Sequence, residues 1–231
     1  NAATGRVVAA EALLRWSPFV TGTMPPKEFI PVAEQSGLIV SLGAFVLREA
    51  LQYACDWPLS QGRPMRVAIN VAARQIQDPA CVELILQALR EASFPSDRLQ
   101  LELSESSHIS EDEAAVDRLR ALKSEGVSIA IDDFGVGYSS LSRLRHLPFD
   151  TLKIDGTFIK DMTTDSGSGA VAGAVISLGR NLDLEVIAEG VETEAQKNHL
   201  LARGCSLMQG YLFAAALPPA VFEAWVKARE A

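Results

Sequence analysis

Short apolar segments alternate with helical segments along almost the whole 231-residue chain, and this alternation limits its possible folds most strongly. The pattern predicts seven strands, near residues 6–15, 67–71, 99–103, 128–134, 151–155, 185–190 and 206–210. Strands that are separated by helices usually pair in parallel through right-handed connections. We therefore predict an α/β fold around a mainly parallel sheet. A closed barrel of this kind needs one more strand than the seven that the pattern predicts.

The composition narrows the classes of function. A hydrophobic content of 48% suits one domain with a well-buried core. The formal net charge of -8 argues against a surface that binds DNA or RNA polymers. No apolar run approaches the length of a membrane span, so we expect no membrane segment and a cytoplasmic location. The three cysteines lack zinc-site spacing, which fits thiols in a reducing compartment.

Polar side chains occur at or just beyond the end of every predicted strand. They are Glu11, Asn70, Glu102, Asp132 with Asp133, Lys153 with Asp155, Glu189, and Gln209. Each one alone fits a solvated strand end, but the shared position favours a site, because the carboxyl ends of parallel strands open on one face of a barrel. The set consists almost entirely of oxygen donors, without cysteine or histidine. Such a set suits Mg²⁺ or Mn²⁺ better than zinc.

The most acidic strand end lies in residues 128–141, where Asp132 and Asp133 are adjacent. Neighbouring carboxylates repel each other unless a cation lies between them or one of them is protonated. Gly135 and Gly137 follow and allow a sharp turn. An acidic surface turn is the alternative interpretation, whereas a dinucleotide-binding loop is excluded because its third glycine is absent. Two cations would relieve the repulsion and would suit in-line attack on a phosphodiester.

Seven sequence blocks resemble the EAL-domain phosphodiesterases, which hydrolyse cyclic di-GMP. In chain order they are EALLRW (11–16), FIPVAEQSGLI (29–39), LELSES (101–106), IDDFGVGYSSL (131–141), LKID (152–155), IAEGVET (187–193) and MQGYLF (208–213). The resemblance implies a (β/α)8 TIM-like barrel of EAL type, mostly parallel with one antiparallel strand. It also implies that the first helix and strand are missing from this chain. On this basis residues 1–231 form a single EAL domain of a larger signalling protein.

The resemblance implies a role for each site residue. The metal ligands are Glu11, Asn70, Glu102, Asp132 and Asp133, with Asp132 bridging two ions. The catalytic residues are Lys153, Glu189 and Asp155, and Lys153 positions or deprotonates the attacking water. Neighbouring cations would ease the loss of its proton. The substrate contacts are Leu13, Arg15, Tyr138 and Gln209, and the loop-anchoring residues are Glu105 and Glu192.

The implied activity is metal-dependent hydrolysis of cyclic di-GMP to linear 5′-pGpG, with Mg²⁺ or Mn²⁺ as cofactor and Ca²⁺ as an inhibitor. The resemblance also implies a homodimer and attached sensor or GGDEF-type domains. Four positions depart from the family pattern: Ala72, Val136, Gly156 and Ala216 stand where Ser, Thr, Arg and Pro are common. These changes leave open a receptor that binds cyclic di-GMP without cleaving it. A hydrolase of another phosphodiester is a further alternative.

Overall fold

The computed structural model describes residues 1–17, 22–107, 109, 112–136, 146–163 and 165–230. Its seven strands are β1 (Ala9–Ala12), β2 (Arg66–Asn70), β3 (Leu99–Ser104), β4 (Ser128–Phe134), β5 (Thr151–Ile154), β6 (Glu185–Ala188) and β7 (Leu207–Met208). They form one sheet in sequence order, and all six pairings are parallel. The predicted α/β fold is therefore confirmed. The antiparallel strand that the resemblance implied is not among these seven.

The described residues also form nine α-helices. They are α1 (Pro26–Ser36), α2 (Ile39–Cys55), α3 (Ala73–Gln77), α4 (Cys81–Glu91), α5 (Glu113–Ser124), α6 (Gly156–Lys160), α7 (Ser166–Asn181), α8 (Glu194–Ala202) and α9 (Pro219–Glu230). The short helices α3 and α6 were not predicted, because five residues are too few to show helical periodicity. A helix predicted over 139–146 falls almost wholly outside the described residues. No described helix has the length and apolar character that a membrane crossing requires.

The sheet curls, so that its two edge strands approach each other. Gln209, just beyond β7, donates a hydrogen bond from Nε2 to Glu11 Oε2 in β1 over 2.7 Å. Near the other end of the same strands, the backbone N–H of Ala2 donates to Ser206 O, also over 2.7 Å. In the part of the chain that the structure describes, β1 and β7 remain the two edges of the sheet. The result is a TIM-like curled sheet with an open seam.

The hydrophobic core lies between the convex face of the sheet and the helices. Leu101 and Leu103 of β3 are buried there together with Leu119 and Leu122 of α5. Alternate strand residues face opposite sides, so the residue between these two leucines, Glu102, faces the inside of the curl. Each buried leucine contributes about 1.5–3 kcal/mol. The apolar neighbours thus fix the strand that holds an acidic side chain inside the barrel.

Candidate active site

Lys153 of β5 lies at the centre of the carboxyl ends of the strands and is only 1% exposed. Its Nζ atom has four carboxylate neighbours: Glu189 Oε1 at 2.6 Å, Glu102 Oε2 at 2.7 Å, Asp132 Oδ1 at 3.3 Å and Glu11 Oε2 at 3.8 Å. These carboxylates come from β1, β3 and β4 and from the residue that follows β6. The structure therefore brings together five of the site residues that the sequence predicted.

Two amides hold the Glu11 carboxylate. Asn70 Nδ2, at the end of β2, donates to Glu11 Oε1 over 2.5 Å. Gln209 Nε2 donates to the other oxygen, Oε2, over 2.7 Å. Glu11 is thus fixed between strand β2 and the segment after β7. The predicted ligand Asn70 and the predicted substrate contact Gln209 both orient a neighbouring acid in this structure.

The adjacent acids Asp132 and Asp133 join one site because the end of β4 is irregular. The pairing register between β4 and β5 shifts between Ile131 and Phe134. Asp133 adopts a left-handed backbone conformation with φ of 56°, which is uncommon outside glycine but tolerated by aspartate. Carboxylate oxygens of Asp132, Asp133 and Glu189 then lie within 4.8 Å of one another. In a regular strand these two consecutive side chains would point to opposite faces.

Asp155 lies between the cluster of Asp132, Asp133 and Glu189 and the start of helix α6. Its Oδ1 atom accepts a hydrogen bond from the backbone N–H of Thr157 over 2.9 Å and caps the helix. After burial and Asp132, its negative charge raises the pKa of the nearby Asp133. Asp155 therefore lies beside the acidic cluster at the next strand end, which is where the sequence predicted a catalytic residue.

Positive charge is scarce in this site. Burial raises the pKa of Glu102 to about 8 and that of Glu189 to about 7, and Lys153 opposes both shifts. Burial and the nearby Asp132 and Asp155 raise the pKa of Asp133. Burial alone would lower the pKa of Lys153, but the surrounding carboxylates raise it, so this side chain remains an ammonium. One ammonium is shared by four carboxylates. This shortage of positive charge favours the binding of further cations.

Comparison with known proteins identifies the fold family. Residues 1–216 match the family model described as EAL domain. The chain belongs to the EAL domain family. The cyclic di-GMP phosphodiesterase PdeR of Escherichia coli is 38% identical over 223 residues, which cover 96% of this chain and 34% of PdeR.

Two solved structures resemble this EAL domain closely. The complex of PaMucR phosphodiesterase with c-di-GMP, from Pseudomonas aeruginosa, has a TM-score of 0.85 and 38% identity, and the match covers 94% of this chain and 91% of that one. The manganese and cy-diGMP complex of Klebsiella pneumoniae BlrP1 has a TM-score of 0.79 and 30% identity. This match covers 93% of this chain and 53% of the BlrP1 chain. The EAL domain spans 28–34% of the length of four curated relatives that are 38–42% identical to it.

The donor set of this EAL domain fits hard divalent cations. Five carboxylates and one amide offer oxygen atoms, and among the described residues no cysteine or histidine belongs to the cluster. The residues that would hold cations are Glu11, Asn70, Glu102, Asp132 and Asp133. Burial, followed by neighbouring carboxylates, raises the pKa values of Glu102 and Asp133, and a divalent cation would supply the positive charge that favours their ionised forms.

Two of the predicted substrate residues of the EAL domain, Leu13 and Arg15, lie away from the carboxylate cluster, whereas Gln209 contacts Glu11. Leu13 and Arg15 are exposed on the turn after β1 and line a cavity of about 1040 Å³ that also reaches Glu11 and Gln209. The guanidinium of Arg15 donates a hydrogen bond to the backbone oxygen of Leu14 over 3.0 Å, rather than to a site carboxylate. Tyr138 lies outside the described residues. The structure therefore brings Leu13 and Arg15 to the rim of a cavity but not into contact with the acids.

The two predicted loop-anchoring residues differ in their burial and in their hydrogen bonds. Glu105 is buried, and its Oε2 atom accepts a hydrogen bond from the backbone N–H of Gly135 over 2.8 Å. Glu192 is exposed, and its backbone N–H donates to the side chain of Gln196 over 2.8 Å. Gln196 is the buried residue that connects this loop to its surroundings. Sequence reasoning missed Gln196, although its position three residues after Thr193 is typical of a capping box.

Proposed function

We propose that this EAL domain hydrolyses cyclic di-GMP to linear 5′-pGpG with the help of two divalent cations, Mg²⁺ or Mn²⁺. The observation that carries the proposal is the buried Lys153 ammonium among four carboxylates at the carboxyl ends of parallel strands. The similarity to PdeR, and to PaMucR with c-di-GMP, supports this choice of substrate. The similarity to BlrP1 with manganese supports the choice of cation.

The reaction joins a water oxygen to one phosphorus and breaks the bond between that phosphorus and the 3′ oxygen. The 3′ oxygen takes up a proton and leaves as a hydroxyl group, so the ring opens with a free 5′-phosphate. When bound, the cations would lower the pKa of a water molecule and neutralise the phosphodiester charge. Glu189 can accept the proton of the attacking water. The Lys153 ammonium, whose Nζ atom is 2.6 Å from Glu189 Oε1, can position this water and exchange a proton with the carboxylate. In the cation-free site, burial raises the pKa of Glu189 above its ordinary value, which favours proton uptake by this carboxylate.

The remaining residues act on the substrate and on the site itself. Arg15 contacts a substrate phosphate after leaving the Leu14 oxygen, and Leu13 contacts the base from the same turn. Gln209 holds Glu11 and faces the same cavity. Asp155 caps helix α6 through the Thr157 N–H and lies beside Asp133, whose pKa is raised by burial and then by its neighbouring carboxylates. Tyr138 contributes to substrate binding from the segment that follows Gly135.

Product analysis tests this function. The chain is incubated with cyclic di-GMP and Mg²⁺, Mn²⁺ or Ca²⁺, and the products are separated by chromatography. We expect pGpG with Mg²⁺ or Mn²⁺ and none with Ca²⁺, because the larger cation tolerates a looser geometry. Binding in EDTA without turnover in Mg²⁺ would instead favour the receptor alternative. Equal turnover of unrelated phosphodiesters would favour a less specific hydrolase.

The wider context is part of the same proposal. Residues 1–231 constitute one EAL domain of a longer signalling protein with sensor or GGDEF-type domains. The similarity to MucR, which is named a bifunctional diguanylate cyclase and cyclic di-GMP phosphodiesterase, supports this arrangement. The domain forms a homodimer through the segment after Tyr138. Light scattering on the purified chain tests the dimer, and a monomer at micromolar concentration would contradict it.

A further inference from the structure

The aromatic ring of Phe158, in helix α6, packs against the backbone of Gly135 just beyond β4. A Cβ atom on Gly135 would lie 2.8 Å from Phe158 Cε2 and 3.2 Å from Cζ. Gly135 also has a φ of 104°, which side-chain-bearing residues rarely adopt. The ring and the glycine backbone therefore fit together only because position 135 carries no side chain.

Gly135 is held from two directions. On one side, the buried Glu105 accepts its backbone N–H over 2.8 Å. On the other side lies the ring of Phe158. Gly135 comes two residues after Asp133, whose own φ of 56° is unusual for a residue with a side chain. A backbone in this conformation persists only where its surroundings hold it, and these two contacts lie immediately after it.

Helix α6 is itself fixed, so it can serve as a rigid support. At its start, Asp155 caps the helix, and the Phe158 N–H donates to Asp155 O over 3.1 Å. At its end, Gln196 Nε2 donates to the backbone oxygens of Ile159 and Lys160, each over 3.1 Å. The Oε1 atom of Gln196 accepts the N–H of Glu192, close to Glu189 in the chain. The helix thus connects the loops that follow β4 and β6.

We propose that Phe158 is a positioning residue that holds Asp133, through Gly135, in the conformation needed to bind a divalent cation. The inference rests on the proposed function for its biological meaning, but it concerns cation binding directly. Residues that orient metal ligands typically contribute about 10–100-fold to metal affinity. Phe158 would act through packing, without contact to the cation or to the substrate.

The test measures Mn²⁺ binding by electron paramagnetic resonance on the wild type, Phe158→Leu and Phe158→Ala. We expect the alanine variant to weaken Mn²⁺ binding about tenfold. The leucine variant should lose less Mn²⁺ affinity than the alanine variant, because leucine restores part of the packing. The variant Gly135→Ala should lose at least as much as Phe158→Ala, since its methyl group meets the ring in a disfavoured backbone conformation.

Phe94→Leu is the matched control. Phe94 is buried, whereas Phe158 is partly buried. Phe94 precedes the opposite end of β3 and packs against Arg98, whose guanidinium carbon is 4.5 Å from the ring centroid. We expect it to lower the melting temperature without weakening Mn²⁺ binding. The inference is overturned if Phe158→Leu and Phe158→Ala bind Mn²⁺ like the wild type, or if Phe94→Leu weakens binding equally. Failure of the wild type to bind Mn²⁺ would also overturn it.

The same measurements separate this inference from the proposed function. If the wild type binds Mn²⁺ but does not cleave cyclic di-GMP, the proposed function fails. The effect of Phe158 on Mn²⁺ binding then still decides the inference. If the wild type cleaves cyclic di-GMP and the Phe158 variants bind Mn²⁺ normally, the function stands and the inference fails.

Discussion

The two ends of the curled sheet both carry charges on the inner face, but they balance them differently. At the amino ends of the strands, Arg66 of β2 and Glu185 of β6 form one pair with a 2.5 Å contact across the curl. At the carboxyl ends, four carboxylates share the Lys153 ammonium. Between the ends lies a neutral contact, in which Gln100 Nε2 donates to Thr151 Oγ1 over 2.7 Å.

This difference shows what each end contributes. The Arg66–Glu185 pair needs nothing further, because each charge has an opposite partner. The carboxyl end has one ammonium for four carboxylates, and burial raises the pKa of Glu102 to about 8 and that of Glu189 to about 7. Such a site destabilises the cation-free domain and favours the cation-bound one. The fold therefore provides stability at one end and retains binding capacity at the other.

We expect the largest effect from removing Lys153, the cation at the carboxyl ends of the strands. Lys153→Met removes the shared ammonium, and we expect turnover of cyclic di-GMP to fall about 10²–10⁴-fold, as for the loss of a proton-transferring group. Arg66→Met removes the corresponding cation at the other end. It should leave turnover within about twofold and lower stability by about 0.2–1 kcal/mol, because that pair is partly exposed. Steady-state kinetics and thermal melts measure both variants, and full activity in Lys153→Met would contradict the assigned role.

A smaller effect concerns cation binding. Because Mn²⁺ or Mg²⁺ would bind the folded site, saturating cation should stabilise the domain by about 2.7 kcal/mol at a hundredfold excess over Kd. For a domain of this size, that corresponds to roughly 5–11 °C in Tm. Calorimetry with and without EDTA measures the shift. Arg66→Met should retain the full shift, and Glu11→Ala should lose most of it. Equal shifts in these two variants would show that the cation acts elsewhere.

Taken per pH unit, the smallest effect is the pH dependence of stability. Folding raises the pKa of Glu102 from its ordinary value of 4.5 to about 8, so the folded state binds this proton more tightly than the unfolded state. The free energy of unfolding of the cation-free domain should therefore fall as the pH rises through this window, by roughly 1 kcal/mol per pH unit, or about 2–4 °C in Tm. Glu102→Gln should flatten this slope. The outcome that counts against this assignment is an equal slope in both proteins.

Much of the fold could be predicted from the sequence, because alternating apolar segments report local geometry directly. Strand β4, which carries Asp132, and strand β3, which carries Glu102, were predicted nearly to their observed bounds. Helix α6 was missed because its five residues show no periodicity. Helical spacing in the sequence predicts a helix that begins at about residue 170, but α7 begins at Ser166. The Asp165 cap, which accepts the N–H of Ser168, lies in a stretch rich in glycine and serine, where helical spacing is not visible.

The sequence by itself determined the α/β fold class, the family, and an oxygen-rich set of side chains at the strand ends. Only the tertiary structure decided that Lys153 is shared by four carboxylates, that Gln209 reaches Glu11 across the seam, and that Phe158 supports Gly135. The physical reason is that residue patterns encode neighbours along the chain. Contacts between distant residues, such as Glu11 and Gln209, depend on how far the sheet curls and where β4 changes register.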